Sequence, residues 1–102
     1  MASRLQLHEE FCNILGSRNV YYNPPESVKM EYDAIRYSKS APDIKRANDK
    51  AYAVVNRYDG VVMTYDPDSE IPSELLKHFS MCSLGSGYVV NNLNHFPFTI
   101  YY

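Results

Sequence analysis

The 102-residue sequence predicts an α+β fold, a mostly antiparallel sheet with two helices packed on it, in the order α-β-β-β-α-β-β. Three observations carry this expectation. Apolar residues recur at helical spacing near the start of the chain and again at 73–79. Between these stretches, "AYAVVNRYDGVVMTYD" (51–66) carries the strongest β signal. The closing "NHFPFTIYY" alternates with a period of two, placing Phe96, Phe98, Ile100 and Tyr102 on one face and His95, Pro97, Thr99 and Tyr101 on the other.

In chain order, Ser3 can cap a first helix whose apolar positions are Leu7, Phe11, Cys12, Ile14 and Leu15, with Gly16 as its stop. "NVYY" (19–22) reads as a short strand, halted by Pro24 and Pro25, which neither continue a helix nor donate to a ladder. "EYDAIRYS" (31–38) is a second strand. The segment 38–50 has no consistent period and many polar residues, and is expected to be a long exposed loop. In the 51–66 strand, Val61, Met63 and Tyr65 alternate with Gly60, Val62 and Thr64, and Asp59-Gly60 marks a turn or bulge. Pro67 breaks that strand. "SELLKHF" (73–79) supplies the second helix, capped by Ser73, with Leu75, Leu76 and Phe79 toward the core. "SLGSG" is a turn, 88–90 a strand, and the aromatic run the last strand.

Length and composition fit one domain spanning 1–102. Ten Tyr and no Trp give many side chains that bury a ring while keeping a hydroxyl near water, which suits strand packing and protein interfaces alike. A formal net charge of −2 argues against a dedicated nucleic-acid binder. No apolar run approaches a membrane span, and "MASRLQLHEE" lacks the hydrophobic core of a signal peptide, so a cytosol-like compartment is expected. Cys12 and Cys82 are then expected as reduced thiols.

Motifs for chemistry are absent. His8, His78 and His95 show no metal-ligand spacing. Asp66, Asp68 and Glu70 imitate the opening of a calcium loop, but Ile71 stands where the sharp turn needs Gly and Lys77 where a bidentate Glu is needed. No nucleophile elbow, P-loop or dinucleotide fingerprint occurs, so no catalytic residue, cofactor or metal is assigned and the chain is not expected to be an enzyme.

Charge is distributed more informatively. From Arg36 to Lys50, five basic residues (Arg36, Lys39, Lys45, Arg46, Lys50) face two acids, a net of +3. From Asp66 to Lys77, four acids (Asp66, Asp68, Glu70, Glu74) face one Lys, a net of −3. These are either two independently solvated segments or two patches by which one copy meets the next. A contact between different patches is heterologous and closes into a ring. The candidate interface is therefore Arg36, Lys39, Lys45, Arg46, Lys50, Asp66, Asp68 and Glu70, joined by Tyr101 and Tyr102 on the aromatic tail.

Taken in order, "NVYYNPPESVKMEYDAIRYS", "AN" with Tyr52 four residues after Asn48, "RYDGVVMTYDPDSEIP" and "NNLNHFPFTIYY" resemble a family of small tailed-bacteriophage proteins encoded among head–tail joining genes. The match runs from Asn19 onward and departs from the pattern at Asp33, where Pro is usual, and at Arg36, where an apolar residue is usual. The resemblance implies a tail-completion or tail-terminator subunit of α+β fold. Such a subunit forms a homo-oligomeric ring, hexameric by family pattern, that caps the tail tube and meets the head connector. A connector adaptor of the same neck is the neighbouring alternative. The implied location is the virion, after assembly in the host cytoplasm, with no membrane and no specific nucleic acid as partner. The 38–50 loop would order on assembly. A reading of another class, a monomeric nucleic-acid-binding module, rests on Tyr37 beside Lys39 and Tyr52 beside Lys50 as stacking platforms.

Overall fold

The computed structural model describes residues 4–25, 29–40, 43–47 and 50–102, with the backbone alone for 43–47 and 50–55. Two helices pack on a mixed six-stranded sheet, and the expected α+β order is present with finer divisions. Helix α1 spans Arg4–Leu15 and α2 spans Ile71–His78. The strands are β1 (Val20–Tyr22), β2 (Ala34–Lys39), β3 (Asp43–Ala47), β4 (Lys50–Val55), β5 (Arg57–Thr64), β6 (Cys82–Leu84), β7 (Tyr88–Val90) and β8 (Leu93–Tyr101).

The main sheet runs β1-β2-β5-β8-β6, with β7 also on β8. Only β1–β2 is parallel, with Val20 opposite Ile35; β2–β5, β5–β8, β6–β8 and β7–β8 are antiparallel. β7 and β8 are joined by Asn91 and Asn92, both at positive φ (52° and 65°). Two consecutive left-handed residues are what a tight two-residue hairpin needs, and Asn tolerates that conformation.

One face of this sheet carries Ile35 and Tyr37 of β2, Tyr58 and Val62 of β5, and Phe98 and Ile100 of β8. All are buried with Leu7, Phe11 and Cys12 of α1 and with Leu75 and Phe79 of α2. The alternation expected for the last strand is therefore realised: Phe98 and Ile100 enter the core, and Phe96 and Tyr102 pack on its margin. Gly16, at φ +81°, ends α1 by donating its amide to the Cys12 carbonyl at 2.9 Å.

Four expectations are corrected. The segment 38–50 is not a loop throughout: β3 lies within it and β4 begins at its end, and the two pair as a separate antiparallel two-stranded sheet with a register shift between Lys45 and Arg46. "DIKRA" has no alternating apolar face to betray a strand, and β3 pairs with β4 alone among the described residues. The predicted 51–66 strand is two, β4 and β5, divided at Asn56, whose carbonyl accepts the Tyr102 amide at 2.9 Å. Asp59-Gly60 is neither turn nor bulge. A Cβ on Gly60 would lie 2.3 Å from the Phe98 ring and 2.9 Å from the Arg36 carbonyl, so glycine serves close approach there. Finally, α2 begins before Ser73, because Pro72 has the fixed φ of a first helical turn, and Leu76 is 46% exposed rather than in the core.

Candidate functional site

The face of the sheet away from the helices is built by the alternate residues of the same strands. Register aligns Ser38 of β2, Asp59 of β5, Thr99 of β8 and Ser83 of β6 in one row, and Arg36, Val61 and Pro97 in the next. These two rows line an open groove of about 570 Å³, bounded at one side by Leu84 and Gly85 and at the other by Asn23 and Pro24. Farther along the face, Ala34, Met63 and Leu93 bury against Met30, Tyr21 and Val61 as a small second core.

Asp59 organises the polar end of the groove. It accepts hydrogen bonds from the Ser40 hydroxyl, from the Thr99 hydroxyl at 2.9 Å and from Arg57 Nε at 3.3 Å. Partial burial pushes the carboxyl up, but these donors and the Arg57 charge outweigh it and hold it below the usual value. Its charge is thereby answered within the chain.

Arg36 is in a different state. Arg4 lies over the Tyr22 ring, Arg18 grips Glu9 at 2.8 and 2.9 Å, and Arg57 bonds Asp59. Arg36 is exposed on the groove wall and has no side-chain partner among the described residues. Among the described residues, the groove therefore holds an unpaired guanidinium.

The second notable feature is the sheet edge. β8 pairs β5 along one side, so β6 and β7 share the other and form the outer edge in tandem. Met81, Leu84, Tyr88, Val89 and Val90 are all exposed there, Val89 to 62%. From His78 to Tyr102 the sequence has no Asp, Glu, Lys or Arg. Edges in monomeric proteins are normally blunted by charge, proline or a covering loop. This edge carries apolar side chains and no charge.

The predicted interface residues are distributed over several places. Lys39 ends β2, exposed. Lys45 and Arg46 stand on β3 and Lys50 on β4, and their side chains lie outside the described residues. Asp66, Asp68 and Glu70 form an exposed turn between β5 and α2. Asp66 Oδ1 accepts the Asp68 amide at 2.9 Å and its carbonyl the Ser69 amide at 3.3 Å, so this carboxylate serves the turn. Asp68 and Glu70 have no side-chain partner among the described residues. Tyr101 is half-buried. Tyr102 is tied inward: its hydroxyl donates to Glu10, which also meets His78 Nε2 at 2.9 Å, and its ring lies 6.0 Å from that of Phe79. Tyr37, the proposed stacking platform, is 1% exposed and bonds His8 Nδ1 at 2.8 Å, so it has no ring face to offer a base; the side chain of Tyr52 lies outside the described residues.

Sequence reasoning missed the groove and the edge. The groove needs residues far apart in the chain brought together by register, and no local pattern marks it. The edge had a signal, the uncharged stretch beyond Lys77. Among the described residues no three His, Cys, Asp or Glu side chains converge as a metal ion would require, and no helix is long and apolar enough to cross a membrane. In comparisons with known proteins, no family model, no curated protein and no solved structure matches the chain.

Proposed function

We propose that this chain is a structural subunit of a tailed-phage neck. It assembles with copies of itself into a ring that terminates the tail tube and joins it to the head connector, in the virion, without catalysis or cofactor. The resemblance from Asn19 onward supplies the neck. The observation that carries assembly is the β6–β7 edge: five exposed apolar side chains on an unprotected strand margin, in a stretch free of formal charge. Such an edge offers unpaired backbone donors and acceptors together with apolar area, which a second copy satisfies by strand addition or face packing.

The β3–β4 hairpin supports the same reading. A two-stranded sheet is marginal by itself in water, and β3 and β4 pair with no other strand among the described residues. Its sequence carries the basic residues Lys45, Arg46 and Lys50, a charge of the sign that would attract the acidic segment of another subunit. Each contact can be weak, because ring closure on a symmetric template raises the effective concentration of the last partner.

The test is tail production with and without the protein, viewed by negative-stain electron microscopy. Tails lacking it are expected to have uncontrolled tube length or to fail to join heads, and added protein restores them. Normal, head-joined tails in its absence contradict the proposal.

A further inference from the structure

Two patches of one copy carry opposite unpaired charges among the described residues, the groove at Arg36 and the turn at Asp68 and Glu70, while Asp59 in the groove is already held by Arg57. The groove has an apolar floor of Val61 and Pro97, hydroxyls at Ser38, Ser83 and Thr99, and the unpaired guanidinium of Arg36. The turn after β5 presents the opposite chemistry. Tyr65 is 62% exposed, with its ring set edge-on against Tyr32 at 5.8 Å, and Asp68 and Glu70 follow it as carboxylates with no side-chain partner among the described residues.

We infer that the groove around Arg36 receives the Tyr65–Glu70 turn of a second copy, with Arg36 pairing Asp68 or Glu70 and the Tyr65 ring lying on Val61 and Pro97. This rests on the ring proposed above and names its contact.

The turn cannot serve its own groove. From Gly60 to Asp66 is six residues along an extended chain, about 20 Å at the rise of a strand. The turn is also held in place: the Asp66 amide bonds Thr64 Oγ1 at 3.0 Å, Asp66 Oδ1 takes the Asp68 amide at 2.9 Å, and the Asn94 side chain bonds the Thr64 carbonyl at 3.1 Å. A preformed knob and a preformed groove bind with little ordering cost. Geometry on the sheet agrees, since Ser83 and Leu84 belong at once to the groove wall and to the uncharged β6–β7 edge. A copy seated in the groove therefore also covers part of that edge.

The consequence concerns symmetry. Two β7 edges meeting each other would be isologous and stop at a dimer. A knob meeting a groove joins two different patches, so every copy keeps one of each free until a ring closes.

The experiment is a charge swap read by sedimentation velocity at low salt, with circular dichroism to show that each variant is folded. Arg36→Glu alone and Asp68→Arg/Glu70→Arg alone are expected to weaken self-association at least about tenfold, since each places like charges together. The chain carrying all three substitutions is expected to regain association, because the pairing is restored with reversed sign. A photo-crosslinking residue at Ser83 of otherwise unchanged protein is expected to capture the peptide holding Tyr65–Glu70 of another copy. If the wild-type chain associates and Arg36→Glu associates equally, or if the crosslink lands on another segment, this contact is wrong while the ring stands. If the wild-type chain is monomeric up to millimolar concentration, this contact is wrong, while the ring, which a symmetric template can close from weaker contacts, is decided by the tail-production test.

Discussion

On the helix-covered face of the sheet, Phe11 stands between the rings of Tyr37, Phe79 and Phe98, with centroids 4.9, 5.7 and 5.6 Å away. One residue along the same strands, on the opposite face, stand Arg36, Ser38, Asp59 and Thr99 beside an open groove. The contrast comes from strand period alone, since successive side chains point to opposite faces. It teaches that the two faces have different tasks. The inner face is closed, each ring meeting another at van der Waals or edge-to-face distance. Among the described residues, the outer face holds the Asp59 carboxylate, answered by Arg57, Ser40 and Thr99, and the Arg36 guanidinium, left open. The two margins of the sheet differ in the same way. β1 has Val20 buried and Tyr22 under Arg4, whereas every residue of β7 is exposed.

The inner face breaks most readily at Gly60. Gly60→Val puts a branched side chain where a Cβ already meets the Phe98 ring at 2.3 Å. We expect a loss of about 3 kcal/mol, the upper range of overpacking, seen as a lower midpoint in urea unfolding with an unchanged slope. A stability equal to wild type would mean that the Phe98 ring has room to turn away.

A smaller effect is expected where the last strand is tied to the helices. The Tyr102 hydroxyl, donating to Glu10, is pushed up to about 12 by that bond, with burial adding to it. For a phenol raised in the folded state, the stabilisation is complete below its unfolded value of 10.0 and is lost as pH rises through about 12. Glu10 is partly desolvated, which pushes it up, but the bonds from Tyr102 and His78 outweigh this and hold it below 4.5. Its contribution is therefore present above that pH and lost as pH falls through the lower folded value. Tyr102→Phe is expected to cost about 1 kcal/mol at neutral pH and to flatten the alkaline limb of a melting-temperature profile, leaving the acid loss from Asp59 in place. An unchanged alkaline limb would place that titration elsewhere, for instance on buried Tyr37 or Tyr58, which burial also pushes up.

How much of this was legible depends on whether a residue's task is local. The last strand was readable because Phe98 and Ile100 keep a strict period of two against one core. The first helix was readable from Leu7, Phe11 and Cys12 at helical spacing, and its end from Gly16. β3 was not, since "DIKRA" has no alternating apolar pattern in the sequence and its only strand partner among the described residues is β4. Asp59-Gly60 has the sequence of a turn or bulge, because the ring that excludes a Cβ, Phe98, is distant in the chain and comes close only once β5 and β8 are in register. The Ser38–Asp59–Thr99 row is hidden for the same reason. Of the predicted interface, the sign of the charges was legible, and Arg36 and the Asp68–Glu70 turn stay open to partners. Tyr102 proves to be engaged within the fold, so truncating it tests folding before assembly.

If the uncharged β6–β7 edge is the assembly surface proposed above, sedimentation velocity of Val89→Lys beside the wild-type chain reads it out. Val89 is 62% exposed and makes no core contact, so the substitution is expected to change stability by no more than about 0.5 kcal/mol. A lysine on an edge strand opposes pairing with another chain. Wild-type protein is expected to sediment as a concentration-dependent oligomer, and folded Val89→Lys to associate more weakly under the same conditions. A Val89→Lys protein that oligomerises as the wild type does would contradict the proposed assembly surface.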